Sequence, residues 1–295
     1  MSVQITTAFA KQYEANAQLV VQQMESRVRE KFMVKDITNA KERFMDYVGK
    51  ATVTERTTRH GDTTYSDTPH TRRMITARTY HVADLIDRPD MVRTLIDPQN
   101  AYLATMRAAM NRKIDSICFT QLVGTAYCGE DGTSTRTMST LGTNEIATGS
   151  VGMSTAKLIE ATEILALADV PDESEGGTNF TRWCAIGPHQ VSDLLKEVEY
   201  GSNDYNLVRP LVEGKIVKWM GFNFVVSNQL PLSSTTRTCI AWVKAGAGFG
   251  LSYDITATVD RMPNKMNSTQ VYLEMMFGAT RLEEELVVSI ACTES

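Results

Sequence analysis

The chain has 295 residues, 42% hydrophobic and 22% charged, with a net charge of −5. That supplies a sizeable core, in one domain or two intimate ones, and it argues against a dedicated nucleic-acid binder, whose footprint is a strongly basic domain. No run reaches the ~20 apolar residues of a bilayer span, so no membrane partner is expected.

The N-terminus, MSVQITTAFAKQYEANAQ, lacks a signal peptide's basic cluster and apolar stretch, so synthesis in a cytoplasm is expected. Phe9, Tyr13, Leu19, Val20, Met24, Val28 and Phe32 recur at steps that predict a helix over Thr7 to about Phe32. A short connection then leads to Tyr47. From Val48 to Tyr80 runs a polar arm rich in Thr and Arg, with His60-Gly61-Asp62 offering a reversal near its middle. Neither half shows the apolar face that would pack it on its own domain, and a lone two-stranded ribbon is marginal in water. The arm is therefore expected either to be disordered or to lie against another copy of the chain.

Charge is unevenly spread. Lys50, Arg56, Arg59, Arg72, Arg73 and Arg78 outnumber Glu55, Asp62 and Asp67 along the arm. Asp169, Asp172, Glu173, Glu175, Asp193, Glu197, Glu199 and Asp204 dominate 169–205. Opposite charges on separate regions suit head-to-tail contact between copies; two merely solvated surfaces are the competing reading.

His81–Asp87 reads as a short ordered stretch, broken by Arg88-Pro89-Asp90. Asp97 as N-cap and Pro98 at the first turn start a long helix with Leu103, Met106, Met110, Ile114 and Ile117 on one side, stopped by Gly124. Its expected length is roughly 40 Å. Cys128–Ser150 is a Gly/Thr/Ser-rich loop or loose hairpin. Ser154 caps a second helix through Ala168, and Pro171–Asn179 is an acidic loop. Trp183–Ile186 is a short strand, and Gly187-Pro188 opens a further helix with Val191, Leu194, Leu195 and Val198. Lys215–Met220 and Phe222–Val226 form a strand pair around Gly221. The last third is mainly β, with strands at Thr238–Val243, Asp254–Val259, Gln270–Phe277 and Leu286–Cys292.

No active site emerges, and no catalytic residue, metal site or cofactor is expected. Gly246-Ala-Gly248-Phe-Gly250 follows a strand, but its GxGxG spacing is not the dinucleotide fingerprint, so it reads as a mobile turn. His60, His70, His81 and His189 form no ligand pair, and a Cys184/His189 nucleophile pair lacks a supporting signature. Asp84, Asp87 and Asp90 fit no calcium loop, and Glu283-Glu284-Glu285 reads as a solvated turn between strands. The five cysteines, Cys118, Cys128, Cys184, Cys239 and Cys292, are far apart and read as small buried hydrophobes.

The order of these elements resembles the major capsid proteins of tailed double-stranded DNA bacteriophages, with the α+β Hong Kong 97-type fold. The resemblance rests on an N-terminal arm before a long loop, and on Leu85-Ile86-Asp87, Asp97-Pro98 and Tyr102 leading into a helix that carries Ala108, Arg112 and Asp115. Further along it rests on Arg182–Pro188, Gly221–Asn228, Leu230-Pro231, Trp242, Ala247, Gly250, Asp254-Ile255, Gly278–Arg281 and Val287–Ile290. It implies an N-terminal arm at 1–47, an extended β-hairpin loop at 48–81, and a peripheral domain at 82–150 holding the spine helix at about 98–123. It further implies an axial domain at 151–235 and a C-terminal β segment, 236–295, returning to the peripheral domain.

The function implied is self-assembly as hexamers and pentamers into an icosahedral head around double-stranded DNA. The loop would lie over a neighbour, with Arg56, Arg59, Arg72, Arg73 and Arg78 as inter-subunit contacts. Partners implied are further copies of the chain, scaffold, portal and decoration proteins, and weak non-specific contact with packaged DNA. Assembly would occur in the host bacterial cytoplasm, and the site of action would be the virion capsid. An encapsulin-like nanocompartment shell is the nearest alternative. A cytosolic nucleotide-binding oxidoreductase using Gly246–Gly250 is a remoter one.

Overall fold

The computed structural model describes residues 22–37, 40–59, 62–63, 65–86, 98–171, 177–201 and 218–294. Their order is β1 (Met33–Asp36), β2 (Glu42–Val48), β3 (His70–Thr76), β4 (Arg78–Ile86), α1 (Pro98–Val123), β5 (Ala126–Cys128), β6 (Ser134–Arg136), β7 (Glu145–Ile146) and α2 (Thr155–Leu167). Then follow β8 (Arg182–Ile186), α3 (Pro188–Gly201), β9 (Lys218–Trp219), β10 (Phe222–Val226), β11 (Leu232–Ser233), β12 (Thr236–Val243), β13 (Ala247–Met262), β14 (Ser268–Arg281) and β15 (Val287–Thr293). The chain divides into two compact units.

The first unit draws on the described residues of Met1–Ser26, Thr79–Lys113 and Tyr253–Met275. Strands β13, β14 and β4 lie side by side. From Gln270 to Met276 of β14 every second residue is buried, as the two-residue period of a strand requires: Val271, Leu273 and Met275 face inward. Val271 and Leu273 meet Ile86, Val82 and Ile255 and, from the first half of α1, Leu103 and Met106. Residues 22–24 are tied to the same helix, since Asn111 donates to the Met24 carbonyl (2.7 Å) and Arg112 to Gln22 Oε1 (2.7 Å). With 26 residues, α1 is about 39 Å long.

The second unit comprises Arg27–Arg78, Ile114–Ser252 and Met276–Ser295. Its main sheet runs β7-β15-β12-β8-β10-β9, with β11 paired to β12. The central strand, β12, is buried from Cys239 to Val243, which is why it reads as a continuous apolar run. It pairs antiparallel with β15 (Cys239 opposite Ile290) and with β8 (Ala241 opposite Cys184). Trp242 packs against Phe32 and edge-on to Phe119 from the second half of α1. A smaller sheet, β2-β3-β5-β6, completes the unit.

Ser154 caps α2, accepting from the Lys157 amide (3.4 Å). The Lys157 side chain turns inward. Its ammonium shares three N–H donors among the carbonyls of Thr148 (2.9 Å), Val151 (3.0 Å), Gly152 (3.1 Å) and Ala291 (2.8 Å). A charged donor thereby adds to the bonding of the backbone acceptors before α2, where the carbonyls of Thr148 and Val151 also take the amides of Val151 and Thr293. Lys157→Met fills the volume but withdraws a charged donor from all four carbonyls, of which those of Thr148 and Val151 keep a backbone amide, so the expected loss is about 2 kcal/mol in urea unfolding. A loss under about 1 kcal/mol would show that they find other donors.

Near the C-terminus the Glu294 carboxylate accepts from Arg237 (Nη2 at 3.2 Å, with Nε on the other oxygen) and from Gln190 (3.2 Å). Mainly the Arg237 hydrogen bonds hold its pKa below the usual 4.5. A lowered folded-state pKa means stability present above about 4.5 and lost as pH falls through the lower folded value. The gap in melting temperature between wild type and Glu294→Gln is therefore expected to be largest above about pH 5 and to shrink progressively as pH falls below 4.5. A pH-independent gap would remove the ionic contribution.

Several expectations need correction. Residues 7–21 lie outside the described residues, but 22–28 are irregular and only Arg29–Lys31 form a 3-10 turn, so the helix does not reach Phe32. Val28 and Phe32 are buried through tertiary contact, with no regular helix around them. The connection to Tyr47 contains two strands, β1 and β2. The glycines at 246, 248 and 250 are not a mobile turn. Gly246 ends a 3-10 turn, and Gly248 and Gly250 pair within β13 against Met33 and Lys35 of β1. A Cβ on Gly246 would sit 2.4 Å from Leu286, and one on Gly250 would sit 2.5 Å from Ile37. Small residues are needed there for packing. The reversal at His60-Gly61, the Asp97 cap and the break at 88–90 fall outside the described residues.

Ser154 caps a helix, Gly187-Pro188 opens another, and β12, β13 and β14 span three of the four expected strands and extend beyond them, while β15 begins one residue late because Leu286 closes a 3-10 turn. Residues 172–176 of the acidic loop and 215–217 of the strand before Gly221 lie outside the described residues. Gly221, with φ 81°, makes the tight turn between β9 and β10.

Candidate assembly interface

The polar arm divides at His70. Its second half is not short of burial: β3 pairs along its whole length with β2, from Glu42 opposite Thr76 to Val48 opposite His70. β3 also pairs with β5. Ile75 and Ala77 join Ile37 and Leu282 in a core that Met33, Met45, Tyr47 and Met276 flank. The sequence reading missed this because Arg72 and Arg73 mask a half-apolar strand, MITA, whose alternation is too short to stand out. The close approach behind it is marked by Gly278, where a Cβ would lie 2.1 Å from the Thr76 carbonyl oxygen.

The first part behaves differently. Described residues from 49 to 69 lie outside any helix or strand and are almost all exposed. Val53 is 98% and Tyr65 92% exposed. The two limbs meet at the root, where Gly49 N–H donates to the Pro69 carbonyl (2.7 Å) and the Thr52 and Ser66 hydroxyls share a hydrogen bond (2.8 Å). Lys50 reaches the Ala168 carbonyl (3.3 Å) at the C-terminus of α2, where a cation suits the helix dipole.

The root rests on a cluster of charges. The Arg73 Nη2 donates to both oxygens of Glu284 (2.6 and 2.8 Å), and its Nε donates to the Leu282 carbonyl (2.9 Å). Arg281 Nε and Arg136 Nη1 lie 3.9 Å from the same carboxylate. Arg281 also caps α1, donating to the carbonyls of Leu122 (2.7 Å) and Gly124 (2.9 Å), and it reaches the Arg136 carbonyl (3.1 Å). Asn144 holds the turn by donating to the carbonyls of Glu284 (2.6 Å) and Val287 (3.1 Å). Glu284 is only 5% exposed, so Glu283-Glu284-Glu285 is not a solvated turn. Burial, followed by the neighbouring Glu285, raises the Glu283 carboxyl above its usual range. Burial with nearby Glu283 pushes the Tyr47 hydroxyl up to about 12.

The five arginines expected at an interface therefore separate. Arg56 and Arg59 stand exposed on the loop, where Arg56 Nε donates to the Thr58 carbonyl (3.1 Å). Arg78 is exposed where β4 begins. Arg72 pairs with Asp46 across the β2/β3 ladder (2.5 Å) and lies over Phe44, and this hydrogen bond holds the Asp46 carboxyl below its usual range. Arg73 is buried within its own chain and is not available to a neighbour, which corrects its place in the expected set. With Arg72 and Arg73 taken up, the loop's charge is split by limb: Lys50, Arg56 and Arg59 against Glu55 on the rising limb, Asp62 and Asp67 on the falling one. Glu284 and Arg281 were missed because Arg73 lies 211 positions from Glu284 and Leu122 lies 159 from Arg281, beyond any periodic signal.

Among the described residues no group of three His, Cys, Asp or Glu could hold a metal. All five cysteines are free and buried. Burial raises the Cys118 and Cys184 thiols, opposite to an activated nucleophile.

The family model described as phage capsid protein matches residues 5–294. No individual curated protein matches. Among solved structures, the fold is similar to the capsid of cyanophage P-SCSP1u, with TM-score 0.71 and 14% identity over 99% of this chain and 95% of that one. It is similar to Mycobacterium phage Che8, with TM-score 0.68 and 14% identity over 96% and 97%. It is also similar to the acid-stable capsid of Helicobacter pylori bacteriophage KHP30, with TM-score 0.70 and 8% identity over 99% and 98%.

Proposed function

The chain belongs to the phage capsid protein family, and from that premise we propose that its copies associate as hexamers and pentamers into a closed icosahedral head around double-stranded DNA. It is a structural major capsid protein with the Hong Kong 97-type fold. In the proposed assembly the loop at 49–69 lies over a neighbouring copy. One observation carries this: Val53 and Tyr65 stand almost fully exposed on a segment whose root is fixed by β2, β3 and the Glu284 cluster. A rigid base with an unburied tip suits contact in trans. Each contact can be modest, because closure of a shell multiplies it.

The peripheral domain (82–150, with 236–295 returning to it) and the axial domain (151–235) belong to the same proposal, as do scaffold, portal and decoration proteins and assembly in a bacterial cytoplasm. With a net charge of −5, contact with packaged DNA would be weak and independent of sequence. The packing around Gly246, Gly248 and Gly250 leaves no cradle for a phosphate, so the oxidoreductase alternative has lost its motif. Negative-stain microscopy of the purified chain, alone and with its phage's scaffold if there is one, tests the reading. Uniform polyhedral particles are expected; a small oligomer under every condition would count against it.

A further inference from the structure

Strand β13 is longer than its partner on one side. β1 pairs with Gly248–Leu251 only, so among the described residues Thr256–Met262 has β14 on one side and no strand on the other. Such an edge is a template for a strand from elsewhere; no proline or glycine interrupts Thr256–Met262, and its charges, Asp260 and Arg261, select what can add there. Beside it lies a shallow hollow of about 280 Å³, lined by Thr258, Asp260 and Met262 of β13 and by Gln270 and Tyr272 of β14. These even-numbered positions face away from the core that Ile255, Val271 and Leu273 enter. The hollow combines an exposed carboxylate with an aromatic ring, and Tyr272 donates its hydroxyl proton to Glu274 (2.8 Å), a second acid on the same face. A carboxylate on one wall and a ring on another suit a guanidinium better than any other side chain.

We propose that the Thr256–Met262 edge of one copy receives the rising limb of the loop, residues 51–59, from a neighbouring copy as an added strand. The neighbour's Arg59 then enters the hollow at Asp260 and Tyr272. This rests on the shell reading above and names the surface that meets the loop. Main-chain hydrogen bonds supply contact along the strand, and alternate side chains supply specificity. The rising limb carries the positive charge, whereas Asp62 and Asp67 of the falling limb would meet Asp260 and Glu274 as like charges. Arg59 is the better candidate of the two loop arginines, because Arg56 already donates to Thr58.

A charge swap tests it. Arg59→Glu and Asp260→Arg are each expected to lower particle yield at least tenfold with the subunit still folded, and the double variant to restore it to within about threefold of wild type. A second test uses cysteines. All five native ones are buried, so Arg59→Cys with Asp260→Cys presents a new exposed pair. Oxidation of assembled particles with copper phenanthroline, which accepts the two electrons released as the thiols join, should give covalent dimers and longer ladders. Normal assembly of Asp260→Arg, no rescue in the swap, or no ladder from intact particles would overturn the proposal. If Asp260→Arg assembles normally while loop-deleted subunits do not, the loop docks elsewhere and the shell reading stands. If loop-deleted subunits assemble too, loop contact in trans fails with it.

Discussion

Replacing residues 52–67 with a short glycine–serine bridge is expected to leave a folded subunit that forms no closed particles. The described residues it removes, including Val53 and Tyr65, lie outside any strand, and it spares Val48, where β2 ends, and His70, where β3 begins. The Gly49–Pro69 hydrogen bond remains to close the shortened hairpin. Because the excised residues bury little at home, the melting temperature should move by only a few degrees, while particle yield should fall by two orders of magnitude or more. A longer excision through Arg78 answers a different question. It deletes β3 with Ile75 and Arg73 and is expected to unfold the subunit. Normal particles from the short deletion would show that the loop is dispensable for the shell.

The second large effect is expected at Glu284. Its carboxylate is buried, and Arg73, Arg281 and Arg136 converge on it. Glu284→Gln keeps the shape and removes the charge, leaving Arg73 and Arg281 without a counter-charge in a place where water cannot replace it. Breaking a buried pair from one side costs about 3–5 kcal/mol. The double change Arg73→Met with Glu284→Gln should cost less than the sum of the single changes, by about 1–3 kcal/mol, since the cost of the orphaned partner is then not counted twice. Strict additivity, or a loss below about 1 kcal/mol for Glu284→Gln, would mean that the cluster is solvated in solution. The position matters because the same charges join β3, which carries the falling limb of the loop, to the end of α1 through Arg281. Glu284→Gln subunits that still fold at low temperature should therefore assemble poorly.

What could be read from the chain alone follows the range over which the forces act. Local signals carried through. The apolar spacing of Met106, Met110 and Ile114 on α1, the Ser154 cap, Gly187-Pro188, the turn at Gly221 and the β-branched runs of β12 to β15 all specify their own neighbourhood. Long-range pairing was not legible. Residues 22–32 have helical spacing, yet Val28 and Phe32 are buried by the fold around Trp242, and tertiary contact outweighs a weak local preference. β3 looked too polar to be held at home because Arg73, its most buried charge, is neutralised by a residue more than 200 positions away. The run of glutamates after Arg281 and the glycines from 246 to 250 misled for the same reason: both are defined by what packs on them. For the interface, the exposed first half of the arm could be foreseen from its composition. Which of its arginines remain outside could not.

The central claim is that the loop, whose described residues from 50 to 67 are all exposed in one subunit, acquires its burial from another. Hydrogen exchange of this segment in the isolated subunit and in the assembled particle tests it most directly. The account predicts near-complete exchange within seconds in the isolated subunit and at least a hundredfold slowing in the particle, while β3 is protected in both. Protection of 49–69 in a lone subunit, or equally fast exchange in both states, would contradict it.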